Sequence, residues 1–250
     1  MATIRVLPDG EHLTLAAAEH VVKLASEAIA ANGRFTIALA GGSTPAPVYE
    51  KLAGDEFSAR VDWSRVQVFW GDERCVPPDD PQSNYRMARL ALLDRVPIPS
   101  GNIHRIRGED EPEEAAALYA RELQTVLGGD AERGGPPAAG FDLILLGMGE
   151  DGHTASLFPG SRAVTEQKRW VMAQYLEVVA AWRVTLTPVV INAAENIAFI
   201  VAGANKAERV REVLQGPSQP TVLPSQAIKP TRGRLVWLMD SAAASQLKDV

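Results

Sequence analysis

The chain is poor in cysteine, in positive charge and in long apolar runs. Cys75 is the only cysteine among 250 residues, so no internal disulfide can form, which is typical of a reducing compartment. The net charge is -6 at pH 7, and no basic stripe or lysine-rich tail indicates a nucleic-acid-binding protein. No apolar run is long enough to span a membrane, and the N-terminus lacks the apolar core of a signal peptide. These absences predict a cytoplasmic protein that binds neither nucleic acid nor membrane.

The composition is otherwise that of an ordinary globular protein. Hydrophobic residues make up 46% of the chain and charged residues 22%, so a sizeable core can form without disulfides. The stretch 128–140 reads as a surface loop because it contains two Gly-Gly pairs and Pro136-Pro137. It does not read as a domain linker, because the same alternation of elements continues beyond it. We therefore expect residues 1–250 to form a single domain.

Short apolar runs alternate with longer amphipathic stretches along the chain. Strands are predicted at residues 4–7, 35–40, 66–70, 141–146, 170–176, 183–186, 197–202 and 235–239. Helices are predicted at 13–31, from Thr44-Pro45 onward, at 84–93, 112–127, from Thr187-Pro188 onward, at 206–214, and after a cap at Asp240. This alternation predicts an α/β fold, with a mostly parallel Rossmann-like sheet and helices on both faces. Ligands of such sheets bind beyond the carboxyl ends of the strands, which directs attention to three loops.

The first loop is Gly41-Gly42-Ser43-Thr44, directly after the strand at 35–40. Glycines allow a ligand to approach the backbone, and the hydroxyls and free N–H groups at a helix start favour a phosphate. The same residues also suit a tight turn in which Thr44 caps the helix and Pro45 is its first residue. The loop is neither a Walker A motif nor a dinucleotide fingerprint.

The second loop is Gly71-Asp72-Glu73-Arg74, after the strand at 66–70. It could be a solvated turn with a local ion pair. It could equally supply a carboxylate for proton transfer and an arginine for an anion.

The third loop is residues 147–154, in which three glycines surround Asp151 and His153. Histidine is the usual general base near neutral pH, and its place at the carboxyl end of a strand favours a functional role over an idle surface residue. Two cations complete the set: Arg183 begins a unit of strand followed by helix, and Lys206 lies between a strand and a helix. Each is either an exposed charge or a phosphate contact.

Six segments together resemble the 6-phosphogluconolactonase subfamily of the glucosamine/galactosamine-6-phosphate isomerase superfamily. They are residues 40–45 (AGGSTP), 71–74 (GDER), 83–84 (SN), 147–159 (GMGEDGHTASLFP), 183–187 (RVTLT) and 203–206 (GANK), and they occur in the expected order over nearly the whole chain. The longest of them is highly specific. The resemblance implies a fold related to glucosamine-6-phosphate deaminase, hydrolysis of 6-phospho-D-glucono-1,5-lactone to 6-phosphogluconate in the pentose phosphate pathway, and no cofactor.

The resemblance also implies roles for particular residues. His153 matches the proposed general base, and Asp151 matches the acid that accompanies it. The loop of Gly42, Ser43 and Thr44 matches the phosphate side of the site. Basic residues around the bound anion are matched here by Arg74, Arg183 and Lys206. The resemblance leaves open which of these three binds the phosphate and which faces the lactone. Asp72 is expected to have a structural or electrostatic role.

Three alternatives remain open at this point. A related isomerase or deaminase would use Asp72 as its base, but the Asn-Glu-Pro segment of the deaminases is replaced here by Leu157-Phe158 before Pro159. A sugar-phosphate sensor would bind without turnover, although Asp151 and His153 are both present. A metal site is disfavoured because the four histidines are scattered without ligand spacing. We expect a monomer or a small homo-oligomer whose small-molecule partner is a sugar-phosphate lactone.

Overall fold

The computed structural model describes residues 2–248, in which nine strands and seven α-helices alternate. The strands are β1 (Thr3–Leu7), β2 (Phe35–Leu39), β3 (Val66–Trp70), β4 (Asp72–Arg74), β5 (Leu143–Leu146), β6 (Val171–Leu176), β7 (Ala181–Leu186), β8 (Asn196–Val201) and β9 (Arg234–Asp240). The helices are α1 (Gly10–Asn32), α2 (Ala46–Ala53), α3 (Asp55–Ser58), α4 (Asn84–Ala91), α5 (Pro112–Leu127), α6 (Pro188–Ile191) and α7 (Ala207–Gln215). No helix in this part of the chain combines the length and the apolar character that crossing a membrane requires.

Six strands form a wholly parallel sheet in the order β1-β9-β8-β5-β2-β3. The central strands β2 and β5 are buried along their whole length, as predicted from their largely apolar sequences, in which Thr36 is the one polar residue. The chain passes from β2 to β3 in one direction and from β5 through β8 to β9 in the other. The winding therefore reverses between β2 and β5, and a crevice opens at their carboxyl ends. The expected mostly parallel α/β fold is confirmed.

The other three strands form a separate antiparallel sheet in the order β4-β7-β6. The sequence predicted β6 and β7 as strands, but it did not separate them from the parallel sheet. It also treated residues 71–74 as a loop, whereas β4 begins one residue after β3 and pairs with β7. Because only Gly71 lies between β3 and β4, the second sheet begins directly at the carboxyl edge of the first. Helix α5 packs against β6 and β7.

Several helix ends follow the signals in the sequence. Asp9 caps α1 by accepting a hydrogen bond from the His12 N–H at 2.9 Å. The helix ends, as predicted, at Asn32-Gly33, where Gly33 has a φ of 76°. Ser83 caps α4 by accepting from the Arg86 N–H at 3.1 Å.

Three predicted helix caps differ from the structure. Helix α2 begins at Ala46 with Pro45 in the cap position, so Thr44 is not the cap. Pro188 does begin α6, but the Thr187 hydroxyl donates to the Arg169 carbonyl at 2.5 Å instead of capping the helix. The helix expected after Asp240 is absent from residues 241–248, which form turns. The Asp240 carboxylate does cap the first of these turns, through the Ala243 N–H at 2.7 Å, but it also binds the Gly203 N–H at 3.1 Å.

Candidate active site

A cavity of about 450 Å³ lies at the carboxyl ends of the parallel strands, at the reversal point between β2 and β5. Its walls come from stretches within residues 40–45, 71–74, 145–155 and 202–206, together with Asn84 at the start of α4. All three loops singled out in the sequence therefore meet at one place. A cavity of this size suits a small polar metabolite.

The loop after β2 forms one wall, and its backbone is open to a ligand. The N–H groups of Gly42, Ser43 and Thr44 donate no hydrogen bond to any residue from 2 to 248. Gly42 has a φ of 99°, which a glycine adopts without strain. A Cβ at Gly41 would overlap the side-chain amide of Asn84, so the packing of α4 against this loop requires glycine there. The loop thus presents free donors to an anion near a helix start.

His153 lines the same cavity from the loop after β5, with one ring nitrogen fixed and the other free. Its Nδ1 lies 2.6 Å from an Asp151 carboxylate oxygen, and its ring stacks on Phe158 at 4.0 Å between centroids. Its Nε2 makes no hydrogen bond to any described residue, and 29% of the side chain is exposed. A Cβ at Gly149 would overlap the imidazole, so a glycine is needed to let the ring lie against this turn. An imidazole held in this way can exchange a proton through Nε2.

Asp151 stays ionised beside the ring. Burial pushes the pKa of Asp151 upward, but hydrogen bonds from the ring and from the backbone N–H of His153 outweigh burial and hold the pKa below its ordinary value. The carboxylate therefore orients the ring and favours the tautomer that leaves Nε2 without a proton.

The backbone next to His153 is strained. Ala155 has a φ of 48°, and it is one of two residues other than glycine with positive φ among residues 2–248. Contacts on both sides keep it there: the Thr154 hydroxyl donates to the Gly147 carbonyl at 2.8 Å, and the Ser156 hydroxyl donates to Asp72 at 2.7 Å. Ala155 itself lines the cavity.

Asp72 lines the cavity, but both of its carboxylate oxygens are bound to protein groups. One accepts from the Ser156 hydroxyl, and the other accepts from the Asn84 amide at 3.3 Å. The residue is only 8% exposed. This arrangement makes Asp72 a bridge between the histidine loop and α4, and leaves it poorly placed for proton transfer.

Glu73, the next residue, is buried and holds the start of α4. It accepts from the Asn84 N–H and the Tyr85 N–H, both at 2.7 Å, and from the Ser83 hydroxyl at 3.1 Å. Burial raises the pKa of Glu73, while these backbone hydrogen bonds act in the opposite direction.

Three cations lie at or beside the cavity, and none of them forms an ion pair with a carboxylate of residues 2–248. Arg74 and Lys206 line it, and the only hydrogen bond that the Arg74 guanidinium makes within residues 2–248 is to the Gln82 carbonyl. Arg183 pairs in register with Arg74 across β4 and β7. Burial, and then the positive charge of Arg74, lowers the pKa of Arg183. Two neighbouring guanidinium groups without a counter-ion favour the binding of an anion.

The structure brings together seven of the nine site residues that the sequence predicted. Gly42, Ser43, Thr44, Asp72, Arg74, His153 and Lys206 line the cavity. The other two lie just behind this wall: Asp151 supports His153, and Arg183 lies beside Arg74.

Sequence reasoning assigned no role in the site to Asn84, Asn205 and Glu150, which also line the cavity. Asn205 donates to the Glu150 carboxylate at 2.6 Å, which ties the lysine loop to the histidine loop. Asn84 and Asn205 could have been noticed in the sequence, because they lie in the short segments 83–84 and 203–206 that resemble the family. In the described part of the chain, no group of three or more His, Cys, Asp or Glu side chains is arranged to hold a metal ion.

Comparison with known proteins decides the family. The model of the family described as glucosamine-6-phosphate isomerases/6-phosphogluconolactonase matches residues 8–237. The chain belongs to this family. A relative from Nostoc sp., named 6-phosphogluconolactonase, is 43% identical over 98% of both chains. A 6-phosphogluconolactonase of Haemophilus influenzae is 36% identical over 94% of this chain and 99% of its own.

Solved structures of the family agree with the fold. The 6-phosphogluconolactonase of Trypanosoma brucei matches with a TM-score of 0.87 and 31% identity over 99% of both chains. A monomeric glucosamine-6-phosphate deaminase matches with a TM-score of 0.80 over 98% of this chain and 100% of its own, at 20% identity, which shows a shared fold alone.

Proposed function

We propose that this chain hydrolyses 6-phospho-D-glucono-1,5-lactone to 6-phospho-D-gluconate, with His153 as the general base. The observation that carries the proposal is the free Nε2 of His153 in a cavity that is also lined by the unpaired N–H donors of Gly42, Ser43 and Thr44. The relatives named 6-phosphogluconolactonase, which match nearly the whole chain, support the same reaction.

The phosphate of the substrate binds at the loop of Gly42, Ser43 and Thr44. Free N–H groups, hydroxyls and the nearby ammonium of Lys206 supply the donors that a phosphate dianion needs. Arg74 and Arg183 add positive charge on the adjacent wall. Fixing the phosphate holds the lactone carbonyl close to His153, so binding the charged group serves orientation as well as affinity.

Hydrolysis then needs one proton carrier. His153 Nε2 takes a proton from a water molecule as the water oxygen forms a bond to C1 of the lactone. Arg74 or backbone N–H groups of the glycine loop stabilise the oxyanion that develops on the carbonyl oxygen. The bond between C1 and the ring oxygen then breaks, and protonated His153 returns its proton to that oxygen. The remaining acid proton leaves as the product ionises to a carboxylate.

Asp151 and Asp72 have different parts in this scheme. Asp151 orients the imidazole and stabilises its charged form. Asp72 joins the two halves of the site through Ser156 and Asn84. The alternative of an isomerase or deaminase needs a free carboxylate base, and the bound oxygens of Asp72 do not favour it.

The reaction requires no cofactor and no metal ion. We further propose that the whole chain acts as one functional unit. The cytoplasmic location and the state of monomer or small homo-oligomer stay predictions from the sequence.

The decisive experiment measures proton release at constant pH from freshly prepared lactone, corrected for spontaneous ring opening. Ammonia release from glucosamine 6-phosphate is assayed in parallel. We expect enzyme-dependent lactone hydrolysis and no ammonia. Ammonia release without lactone hydrolysis, or binding of 6-phosphogluconate without any turnover of the lactone, would contradict the proposal.

A further inference from the structure

Two buried tyrosines hold the ends of neighbouring strands in the same unusual way. The Tyr49 hydroxyl accepts from the Ala40 N–H at 2.9 Å and donates to the Ala40 carbonyl at 2.8 Å. The Tyr119 hydroxyl does the same at Trp70, with distances of 2.8 and 2.9 Å. The two tyrosines are 0% and 2% exposed, so water does not compete for these bonds. Burial raises the pKa of both phenols, and a neutral phenol can donate and accept at once.

Each clamped residue lies directly before a loop of the cavity. Ala40 precedes the loop of Gly42, Ser43 and Thr44, and Trp70 precedes the segment with Asp72 and Arg74. The side chains come from different helices, Tyr49 from α2 and Tyr119 from α5, so the arrangement arises twice from unrelated parts of the chain.

The two tyrosine hydroxyls serve as hydrogen-bond partners for backbone groups of Ala40 and Trp70 that no neighbouring strand binds. The Gly71 N–H donates to the Leu39 carbonyl at 2.9 Å, so Leu39 faces β3. Successive residues of a parallel strand direct their backbone groups to opposite sides, so those of Ala40 face away from β3 toward β5. The pairing of β2 with β5 ends at Ala38 and Ile144, before it could reach Ala40. Tyr49 therefore supplies the missing partner at the reversal point of the sheet.

The same reasoning applies to the end of β3. This strand is at the edge of the parallel sheet, and Gly71 uses its N–H toward β2. The backbone groups of Trp70 therefore face away from β2, beyond the bridge between Val68 and Ile103, and Tyr119 binds both of them. Without the two hydroxyls, four buried backbone groups would lack partners.

We propose that Tyr49 and Tyr119 are positioning residues for the lactone site, each fixing a strand end so that the loop after it stays in place. This inference rests on the proposed function for its kinetic readout. Tyr49 acts on phosphate binding, because its loop carries the free N–H donors. Tyr119 acts through the placement of Arg74.

The test uses Tyr49→Phe and Tyr119→Phe, which remove one hydroxyl each and keep the ring. For Tyr49→Phe we expect KM for the lactone, and the Kd for 6-phosphogluconate and for inorganic phosphate measured by calorimetry, to rise about fivefold or more, with kcat little changed. For Tyr119→Phe we expect a loss of similar size in kcat/KM. All assays are run well below the melting temperature of each variant.

Two controls separate positioning from simple loss of stability. Tyr175→Phe removes a phenol hydroxyl from an exposed residue, and Leu52→Ala removes a buried side chain of α2 and leaves the hydrogen bonds between Tyr49 and Ala40 intact. Neither should change KM or Kd. If Tyr49→Phe lowers the melting temperature as Leu52→Ala does and leaves KM and both dissociation constants unchanged, the inference is wrong. If the wild type binds 6-phosphogluconate but hydrolyses no lactone, the proposed function fails, and weaker binding by Tyr49→Phe still supports the positioning role.

Discussion

Two histidines of this protein have nearly the same immediate surroundings. His153 contacts Asp151 through Nδ1 at 2.6 Å, and His104 contacts Glu122 through Nδ1 at 2.7 Å. Each ring also stacks on a phenylalanine, with centroids 4.0 Å apart for His153 and 4.3 Å apart for His104. A carboxylate and an aromatic neighbour therefore do not by themselves distinguish a catalytic histidine from a structural one.

The difference lies at the second ring nitrogen. Nε2 of His104 is bound to the Gln67 side chain at 2.7 Å, and the histidine side chain is 11% exposed. Nε2 of His153 has no partner among residues 2–248 and belongs to a side chain that lines the cavity. Proton transfer requires a nitrogen that substrate or water can reach. The comparison shows that the free nitrogen, and the cavity in front of it, distinguish the proposed base.

The largest expected effect comes from replacing His153 and, separately, His104 with alanine. His153→Ala should lower kcat by ~10²–10⁴ while substrate binding changes much less, since a general base contributes about that factor. His104→Ala should lower the melting temperature and leave kcat unchanged. The measurement is the corrected lactone assay on both variants. Equal losses of kcat would show that the comparison between the two histidines is false.

The next effect concerns the cations that lie around the cavity of His153 without ion-pair partners among residues 2–248. Lys206→Ala should raise KM for the lactone by roughly tenfold, because a hydrogen bond to a charged group contributes about 1.5–3 kcal/mol. Lys229, an exposed lysine outside the cavity that contacts Ser218, provides the control. Lys229→Ala should leave KM unchanged. An unchanged KM in Lys206→Ala would remove Lys206 from the anion site.

A smaller effect tests the strained backbone beside His153. Ala155→Gly should raise stability by up to about 1 kcal/mol, because the left-handed conformation costs alanine more than glycine and the flexibility of unfolded glycine offsets only part of this. Ala180, with a φ of 46° in the turn between β6 and β7, is a matched control outside the cavity. Thermal unfolding should show a similar gain for Ala180→Gly, and only Ala155→Gly should lower kcat. Equal kcat values in both variants would mean that strain at Ala155 has no catalytic consequence.

The smallest effect is a pH dependence of stability. The pKa of Asp151 is lowered in the folded state, so its carboxylate stabilises the fold above the ordinary pKa of 3.8, and this contribution is lost as the pH falls below that value. The free energy of unfolding of the wild type should therefore exceed that of Asp151→Asn at about pH 7, and this difference should shrink toward about pH 3. Urea unfolding at both pH values measures it. A difference that grows in acid would contradict the sign of the pKa shift.

The sequence by itself determined the features that depend on neighbours along the chain. Largely apolar runs predicted the buried strands β2 and β5, and alternation with amphipathic stretches predicted the parallel α/β sheet. The pair of Asp151 and His153 was visible because only Gly152 separates the two residues within a glycine-rich loop. The loops of the site were found because parallel strands bring their carboxyl ends to one edge.

Only the tertiary structure decided which of these groups remain free. Asp72 is bound by Ser156, 84 residues away along the chain, and Trp70 is clamped by Tyr119, 49 residues away. The separate antiparallel sheet likewise depends on the pairing of β4 with β7. Such contacts join distant parts of the chain through packing, and no local periodicity encodes them. For the same reason, the sequence could identify His153 and His104 as histidines but could not show which Nε2 faces a cavity.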